Sequence, residues 1–277
     1  EKLVLSDVSL EFFAGTSTAI VGLSGSGKTT LVELLAGFRR GYEGRILVDG
    51  VDVSNCDFDS YRSQVGYVTQ ETIVLHDTLV NNLRFLNPDA SVETVEHGAQ
   101  MAMVSDFIQD MEAGYDTVMG ERGYKVSGGQ RQRICIARAL SLNPSLIIAD
   151  ESVAALDVTI QAQVINLLMD LQAEENISFL FISHDMAVVE RIAHRVAVMY
   201  AGEIVEIGHR RAVFSSPQHS YTKKLLASVP VADPRQRRRD RAINTDEIPS
   251  VIHPISFKPV HLPFRQVKDN HFVREEL

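Results

Sequence analysis

The sequence has few cysteines, no long apolar run and no excess of basic residues, and each absence argues against a class of protein. Its two cysteines, Cys56 and Cys135, show neither CxxC spacing nor a nearby histidine pattern. A metal site or a disulfide framework is therefore not expected, and a reducing compartment is favoured. No apolar run approaches the roughly 18 residues of a membrane-spanning helix, so another chain would have to supply any membrane span.

The charge balance is acidic. The 277 residues carry 27 Lys and Arg side chains against 36 Asp and Glu side chains, a net charge of −9, so we expect no general nucleic-acid-binding surface. The first residues lack the basic and then apolar pattern of a signal peptide. A hydrophobic fraction of 45% and this length suffice for a well-buried core, in one large α/β domain or in one domain with a smaller appendage.

Strand-like and helix-like segments alternate along the chain. Strand-like runs occupy residues 3–12, 17–22, 44–53, 65–70, 145–149, 178–183, 195–200 and 202–208, and the run 44–53 contains an Asp-Gly hairpin signal. Helical periodicity marks residues 28–37, much of 77–113, and residues 159–174 and 186–193. Strands that alternate with helices predict βαβ crossovers, and therefore an α/β fold with a mainly parallel sheet.

A phosphate-binding motif lies between a strand and a helix. The stretch GLSGSGKTT matches G-x-x-x-x-G-K-[ST] completely and has the strand and helix context that the motif requires. Glycines allow backbone N–H groups to approach phosphate oxygens, Lys28 suits the terminal phosphates, and the Thr29 hydroxyl suits Mg²⁺. A chance turn is the alternative, and the intact context argues against it. A nucleoside-triphosphate site is therefore predicted at Gly22, Ser24, Gly25, Ser26, Gly27, Lys28, Thr29 and Thr30.

Polar residues end three of the strand-like runs, where open α/β sheets bind ligands. Asp150 would hold Mg²⁺ through water, and Glu151 would polarise the attacking water; helix capping is the alternative for both carboxylates. Gln70 would bridge Mg²⁺ and water, and His184 would hydrogen-bond the γ-phosphate. A plain turn residue is the alternative for Gln70 and His184.

A second glycine turn, at Ser127 to Gly129, opens an arginine-rich helix and offers N–H groups to an anion. With this turn, the chain resembles the nucleotide-binding subunit of an ATP-binding cassette (ABC) transporter over residues 1–230. The motifs of that family occur in order: phosphate loop 22–29, Q-loop Gln70, signature VSGGQ 126–130, Walker B 146–151, D-loop AALD 154–157 and switch His184.

The resemblance implies a P-loop ABC ATPase with a mainly parallel central sheet, an N-terminal antiparallel β-subdomain and a helical subdomain at about 71–140. Residues 1–230 would form this domain, and residues 231–277 an irregular C-terminal extension. It also implies ATP and Mg²⁺ as cofactors and two ATP molecules sandwiched between two subunits. Ser127, Gly128 and Gly129 would complete the ATP site of the partner, and Gln130 and Asp157 would be further ATP-binding residues.

The two halves resemble different subfamilies. Residues 1–124 are similar to exporter cassettes, and the sequence from Ser127 onward is similar to peptide importer subunits of the glutathione and dipeptide group. Many relatives in the importer group carry cysteines for an iron–sulfur cluster in their tail; this tail has none, so no cluster is expected. The basic run 235–241 favours a solvated linker, with a membrane or partner contact as the alternative.

The function predicted from this resemblance is ATP hydrolysis that powers transport of peptide-type substrates. The partners would be a second ATP-binding subunit, transmembrane permease subunits and, for an importer, a substrate-binding protein. The location would be the cytoplasmic face of the cell membrane. An exporter cassette, a soluble ABC ATPase that acts on nucleic acid or ribosomes, and a mosaic that couples to nothing remain alternatives.

Overall fold

The computed structural model describes residues 3–154, 156–228 and 262–276, which form ten strands and ten α-helices. The strands are β1 Ser17–Val21, β2 Leu47–Val48, β3 Val51–Asp52, β4 Val65–Val68, β5 Leu146–Asp150, β6 Ser178–Ile182, β7 Arg195–Tyr200, β8 Glu203–His209, β9 Phe264–Lys268 and β10 His271–Arg274. The helices are α1 Lys28–Leu35, α2 Phe58–Ser63, α3 Leu79–Arg84, α4 Val92–Met101, α5 Ser105–Ile108, α6 Gly128–Leu140, α7 Val158–Glu175, α8 Met186–Ile192, α9 Arg210–Ser215 and α10 Ser220–Ala227.

The described chain divides into two compact units. The first unit comprises residues 3–11, 18–31, 183–228 and 262–276. In it β1 pairs with β7 in parallel, and the antiparallel pairs β7–β8, β8–β10 and β10–β9 follow. Both β1 and β7 are buried almost throughout. This agrees with their continuous apolar runs, because strands covered on both faces lose the polar alternation of a half-exposed strand.

The second unit comprises residues 12–17 and the described part of 32–182. Its strands β4, β5 and β6 pair in parallel, so their C-terminal ends lie at one edge, and the predicted parallel arrangement is confirmed. Helix α6 packs against α3, α4, α7 and β4. Helices α3, α4, α5 and α6 all begin within residues 71–140, the segment predicted as a helical subdomain.

Helix α7 shows why the sequence periodicity predicted it well. Asp157 caps its first turn, with its Oδ1 accepting a hydrogen bond from the Ile160 N–H at 3.0 Å. Asn176 ends the helix in the left-handed region at φ 53°. The predicted apolar stripe is buried at Val164, Leu167, Leu168 and Leu171, whereas Ile160 is half-buried. Each fully buried side chain of this size contributes about 1.5–3 kcal/mol to folding.

Among the described residues, no helix combines the length and the apolar composition needed to cross a membrane.

The prediction of a strand over residues 3–12 is wrong. Asp7 has φ 46°, a conformation that interrupts an extended ladder. The segment is instead held by separate bonds: the Ser6 N–H donates to the Gly202 carbonyl at 3.0 Å, and Arg195 Nη1 donates to the Glu11 carbonyl at 2.8 Å. The hairpin predicted at Asp49 and Gly50 does form, between the two-residue strands β2 and β3, and supplies an antiparallel sheet.

The prediction of an irregular C-terminal extension is wrong for residues 264–274. Strands β9 and β10 form an antiparallel hairpin, and β10 also pairs with β8. Asp269 and Asn270 join the two strands, with Asn270 in the left-handed region at φ 53°, which asparagine tolerates. The rest of that extension, including the basic run 235–241, lies outside the described residues apart from 262, 263, 275 and 276.

Candidate functional site

The phosphate loop lies between β1 and α1 and is built on three glycines with positive φ. Gly22, Gly25 and Gly27 have φ values of 154°, 80° and 105°, a region that side chains rarely adopt. A Cβ on Gly22 would lie 2.2 Å from the Met199 carbonyl oxygen. One on Gly27 would lie 2.8 Å from Leu5 Cδ2. Conformation therefore favours glycine at all three positions, and at Gly22 the close approach of a backbone atom requires it as well.

Neighbouring segments of the same unit hold this loop in place. The Leu23 N–H donates to Tyr221 Oη at 2.9 Å, and the Gly202 N–H donates to the Ser26 carbonyl at 2.9 Å. Tyr221 belongs to α10, and Gly202 to the turn between β7 and β8. The loop is thus fixed from two sides by residues far from it in the chain.

The side chains of the loop fit phosphate groups. Lys28 is buried, and its Nζ donates to the carbonyls of Gly22 at 2.8 Å and Leu23 at 2.9 Å, which keeps its charge over the loop. Within the part of the chain that the structure describes, the buried Ser26 Oγ has no hydrogen-bond partner, as expected of a hydroxyl that donates to a ligand oxygen. The first N–H groups of an α-helix also lack intrahelical partners and favour an anion. These features fit the phosphates of ATP.

The remaining predicted loop residues lie at the start of α1 and in the exposed part of the loop. Ser24, Gly25 and Thr29 are exposed, and Thr30 is half-buried. The Thr29 hydroxyl has the chemistry that Mg²⁺ prefers, an oxygen donor next to the phosphates. In residues 3–154, 156–228 and 262–276, no group of three His, Cys, Asp or Glu side chains could hold a metal ion.

Asp150 ends β5 and is held by a tyrosine on the neighbouring strand. Tyr67 Oη donates to Asp150 Oδ2 at 3.0 Å. Burial, followed by the negative charge of Asp150, raises the pKa of Tyr67 above its usual range, so its hydroxyl stays protonated and remains a donor. The Tyr67 ring packs on Phe38, with 5.2 Å between the ring centroids. The carboxylate predicted to serve Mg²⁺ is therefore oriented by a rigid side chain.

Glu151 has an unusual backbone conformation. Its φ is 46°, and glutamate adopts this left-handed region rarely, at a cost of about 1 kcal/mol. Its N–H donates to the Ile182 carbonyl at 3.0 Å, and its own carbonyl accepts from Ala154 at 3.0 Å. The turn therefore redirects the chain directly after β5, with Glu151 half-buried. Strained residues of this kind cluster at functional sites.

Gln70 is exposed two residues after the end of β4. Since β4 and β5 are neighbouring parallel strands, Gln70 lies at the same sheet edge as Asp150. It lines an open cleft of 560 Å³ together with Glu71, Thr72, Arg122 and Arg131. The predicted Q-loop is thus on the rim of a cavity, with two arginines facing it.

The signature turn is held by its own residues. Ser127 Oγ accepts from the Gln130 N–H at 3.2 Å, and Gln130 Oε1 accepts from the Ser127 N–H at 2.8 Å, which forms a capping box. A Cβ on Gly129 would lie 2.5 Å from Ile160 Cγ2 on α7, whereas one on Gly128 would meet no residue of the described ranges closer than 3.8 Å. Packing therefore requires glycine at 129 and not at 128.

Asp157 and His184 both lie beside helix N-termini. Asp157 is exposed and caps α7, so its carboxylate has a structural partner besides its predicted role at ATP. His184 is exposed between β6 and Asp185, the cap of α8. The first unit contains the phosphate loop and His184; the second contains Gln70, Asp150, Glu151, Ser127 to Gln130 and Asp157.

Sequence reasoning missed the two tyrosines that support this machinery. Tyr67 holds Asp150 across 83 positions of sequence, and Tyr221 holds Leu23 across 198. A single tyrosine within a buried strand or helix belongs to no recognisable sequence motif, so no local signal could have identified Tyr67 or Tyr221. The roles assigned to the site residues stay predictions.

Two family models match the chain. A model described as ABC transporter matches residues 5–154, and one described as oligopeptide/dipeptide transporter, C-terminal region, matches residues 205–253. The first spans more than half of the chain.

Curated relatives match almost the whole sequence. Glutathione import ATP-binding protein GsiA of Pectobacterium atrosepticum is 44% identical over 271 residues, covering 96% of this chain and 43% of that protein. The protein of the same name from Escherichia coli strain K12 is 41% identical over 285 residues, covering 99% of this chain and 45% of its own. The chain thus spans less than half the length of these relatives.

A solved structure, that of a bacterial Atm1-family ABC exporter with ATP bound, is 33% identical with a TM-score of 0.71. The match covers 81% of this chain and 39% of that one. The importer and exporter resemblances seen in the sequence therefore each have a counterpart among known proteins. The matched family model and the complete, ordered motif set show that the chain belongs to the ABC transporter family.

Proposed function

We propose that this chain is an ATP-binding and ATP-hydrolysing subunit that powers import of peptide-type substrates by an ABC transporter. The observation that carries the proposal is the phosphate loop, in which Lys28 is buried beside three glycines with positive φ. The peptide-type substrate is supported by the similarity to glutathione import proteins and by the match to the oligopeptide/dipeptide transporter family model.

The phosphate loop and the first turn of α1 bind the phosphates. Backbone N–H groups and the Ser26 hydroxyl donate to phosphate oxygens, and Lys28 balances the charge of the terminal phosphates. Thr29 and Asp150 would hold Mg²⁺, with Tyr67 fixing the Asp150 carboxylate. When bound, Mg²⁺ supplies charge neutralisation at the β- and γ-phosphates.

The residues that follow the parallel strands carry out hydrolysis. Glu151 orients the attacking water and accepts its proton, a role that suits a half-buried carboxylate held on a strained turn. Gln70 would contact Mg²⁺ and the attacking water, and His184 would donate a hydrogen bond to the γ-phosphate. Gln70 and Asp150 follow neighbouring parallel strands, so the two residues of the second unit that would serve the metal lie at the same sheet edge.

The signature turn serves the nucleotide of a second ATP-binding subunit. In the capping box, the Ser127 and Gln130 N–H groups donate to side chains within the turn. Gly128 and Gly129 present the other N–H groups of the first turn of α6. A Cβ on Gly128 would meet no described residue closer than 3.8 Å. Two ATP molecules would then lie between two subunits, each completed by the partner's signature and by Asp157.

The remaining partners would be transmembrane permease subunits and a substrate-binding protein, at the cytoplasmic face of the cell membrane. The open cleft lined by Gln70, Arg122 and Arg131 is the surface that we assign to the permease. An exporter cassette is the second candidate, because the exporter structure matches 81% of the chain and residues 117–123 are similar to an exporter segment.

Glu151→Gln tests the catalytic assignment. The amide keeps the shape of the side chain but accepts no proton, so ATP binding should persist while hydrolysis falls about a hundred-fold or more. ATP should also trap a dimer, visible by size-exclusion chromatography with light scattering. Glu174→Gln, an exposed carboxylate on α7, is the matched control and should behave like the unaltered protein. Full hydrolysis by Glu151→Gln would refute the assignment.

Reconstitution tests partner and direction. Copurification from solubilised membranes should yield a permease, and vesicles holding both should accumulate labelled glutathione or dipeptide when ATP is on the side of this chain and substrate on the opposite side. Transport of substrate away from the ATP side would instead support the exporter candidate.

A further inference from the structure

The phosphate loop is held by Tyr221, which lies outside the phosphate-loop, Q-loop, signature, Walker B, D-loop and switch motifs. The Leu23 N–H donates to Tyr221 Oη at 2.9 Å, and Tyr221 is only 4% exposed. Its ring packs against Tyr200, with 4.5 Å between centroids. Burial raises the pKa of Tyr221, so the hydroxyl stays protonated. Leu23 is the second residue of the loop, and this bond fixes its peptide group.

The start of α10 is fixed by a carboxylate that is fully buried. Glu206 on β8 is 0% exposed and accepts from the Gln218 N–H at 3.0 Å and from the His219 N–H at 2.9 Å. His271 Nε2 lies 2.7 Å from the same carboxylate. A buried carboxylate needs every such partner, so Glu206 binds the chain before α10 and strand β10 together.

The residues after β10 add a second attachment. Glu276 accepts a hydrogen bond from the Ser220 N–H at the first residue of α10. Arg274 anchors this segment, because its guanidinium donates to Asp7 Oδ2 at 2.9 Å and to the Ile204 carbonyl at 3.1 Å. The C-terminal hairpin β9–β10 is therefore attached to the helix that supplies Tyr221.

We propose that Tyr221 is a positioning residue for the phosphate loop and that the C-terminal hairpin sets its place through Glu206 and Glu276. The proposal rests on the proposed function in that the loop binds ATP. A loop already held in its binding conformation loses less entropy when phosphate binds. The hairpin should therefore govern affinity for ATP and leave the chemical step almost unchanged.

Tyr221→Phe tests the contact directly, because it removes one hydroxyl and keeps the ring against Tyr200. Losing one hydrogen bond should raise the dissociation constant for a fluorescent ATP analogue, and KM for ATP, roughly three- to ten-fold. kcat should change less than about two-fold. In the protein without nucleotide, amide hydrogen exchange of peptides covering 22–27 should become faster.

Tyr61→Phe is the matched control. Tyr61 Oη is also hydrogen-bonded to a backbone group, in this case as the donor to the Leu35 carbonyl at the other end of α1. Tyr61→Phe should leave the dissociation constant and exchange over 22–27 unchanged. The proposal is overturned if both variants behave alike, or if Tyr221→Phe lowers kcat as much as it raises KM.

Glu276→Ala tests the attachment of the hairpin, with Glu275→Ala as its control at the adjacent exposed position. Glu276→Ala should raise the dissociation constant about two-fold, through the weaker hold on α10, and should also speed exchange over 22–27. Equal behaviour of the two alanine variants would overturn this part. Amide exchange is measured without nucleotide, so it tests the contact between Tyr221 and the loop whether or not the protein binds ATP. If the unaltered chain bound no ATP, only the proposed function would be refuted.

Discussion

Two glycine turns open helices in this protein, and they are held in opposite ways. The phosphate loop before α1 is fixed from outside, by Gly202, Tyr221 and the close approach of Met199. The signature turn before α6 is fixed from within, by the reciprocal bonds of Ser127 and Gln130. Similar glycine-rich composition therefore yields one loop that depends on the surrounding fold and one that is largely self-contained.

The two turns differ in whether one chain can supply all the partners of a bound phosphate. The phosphate loop contains its own buried cation, Lys28, and a buried hydroxyl, Ser26, so a phosphate finds its partners within one chain. In the signature turn, Gly128 leaves space that no described residue of its own chain fills to closer than 3.8 Å. Such space fits a ligand supplied from outside the chain, which is the arrangement proposed for the dimer.

Gly22→Ala should have the largest effect on stability. The added Cβ would lie 2.2 Å from the Met199 carbonyl oxygen, a backbone atom, and the φ of 154° is itself strained for alanine. We expect the free energy of unfolding to fall by about 3 kcal/mol or more and ATP binding to be lost. Urea unfolding and equilibrium binding of labelled ATP would measure both.

Gly44→Ala is the control for Gly22→Ala. Gly44 also has positive φ, 105°, but among the described residues its Cβ would meet no atom within 4 Å. It should cost only the conformational strain, about 1–2 kcal/mol, with ATP binding intact. If both variants lost equal stability, the close approach of Met199 would not matter.

Gly129→Ala should have an intermediate effect. Its Cβ would meet Ile160 Cγ2 at 2.5 Å, and a side chain can shift further than a carbonyl. We expect a loss of about 1–3 kcal/mol in the free energy of unfolding. Ile160→Ala removes the opposing methyl group, so the double variant should lose less than the sum of the single variants. Additive losses would contradict the contact.

Acidification should loosen the phosphate loop more than the signature turn. His219 Nδ1 accepts from the Tyr221 N–H at 3.1 Å, which protonation would prevent. Burial lowers the pKa of His219, although Glu276 and Glu206 oppose this. Because the folded-state pKa lies below the unfolded value of about 6.5, its contribution to stability is complete above pH 6.5 and declines as the pH falls below it.

Amide exchange at pH 7.5 and pH 5.5, corrected for the intrinsic rate, would test this. Protection over 22–27 should fall on acidification, and protection over 127–131 should not, because the Ser127 and Gln130 side chains do not titrate. His219→Asn keeps a capping acceptor without the titration and should reduce the pH dependence over 22–27. An unchanged pH dependence in this variant would contradict the assignment.

The sequence predicted those features that depend on local pattern. Continuous apolar runs identified β1 and β5, and periodicity identified α7, because burial of one stripe repeats with the period of the element. The run 3–12 had a similar apolar pattern and formed no strand, since Asp7 takes a positive φ. The hairpin β9–β10 was missed although Asp269 and Asn270 marked its turn, because the surrounding segment is rich in proline and arginine.

The candidate site was predictable to the extent that its chemistry is contiguous in sequence. The loop 22–30 and the turn 127–130 each carry their chemistry in one stretch. The support given to Asp150 by Tyr67, and to Leu23 by Tyr221, arises only when distant segments pack. The positive φ of Glu151 likewise results from the turn that follows β5.

Gly128→Ala should have the smallest effect on stability and the clearest effect on function. Its Cβ would make ordinary contacts at 3.8 Å with Arg131 and Leu156, and alanine is favoured over glycine within a helix. We expect the free energy of unfolding to change by at most about 1 kcal/mol. ATP binding to the monomer should be unchanged, because the subunit's own phosphate loop is intact.

Hydrolysis by Gly128→Ala should nevertheless fall at least about ten-fold, because one methyl group misplaces the partner's nucleotide in the sandwich. Mixing it with a Lys28→Ala subunit separates the two turns. In such a heterodimer, the intact phosphate loop faces the intact signature turn of the Lys28→Ala subunit, so part of the activity should return. Since neither variant alone would hydrolyse ATP efficiently, recovery on mixing would show that the signature turn acts on the other chain's nucleotide. An absence of recovery, with mixed dimers verified by mass spectrometry, would instead place both turns at one site within a single chain.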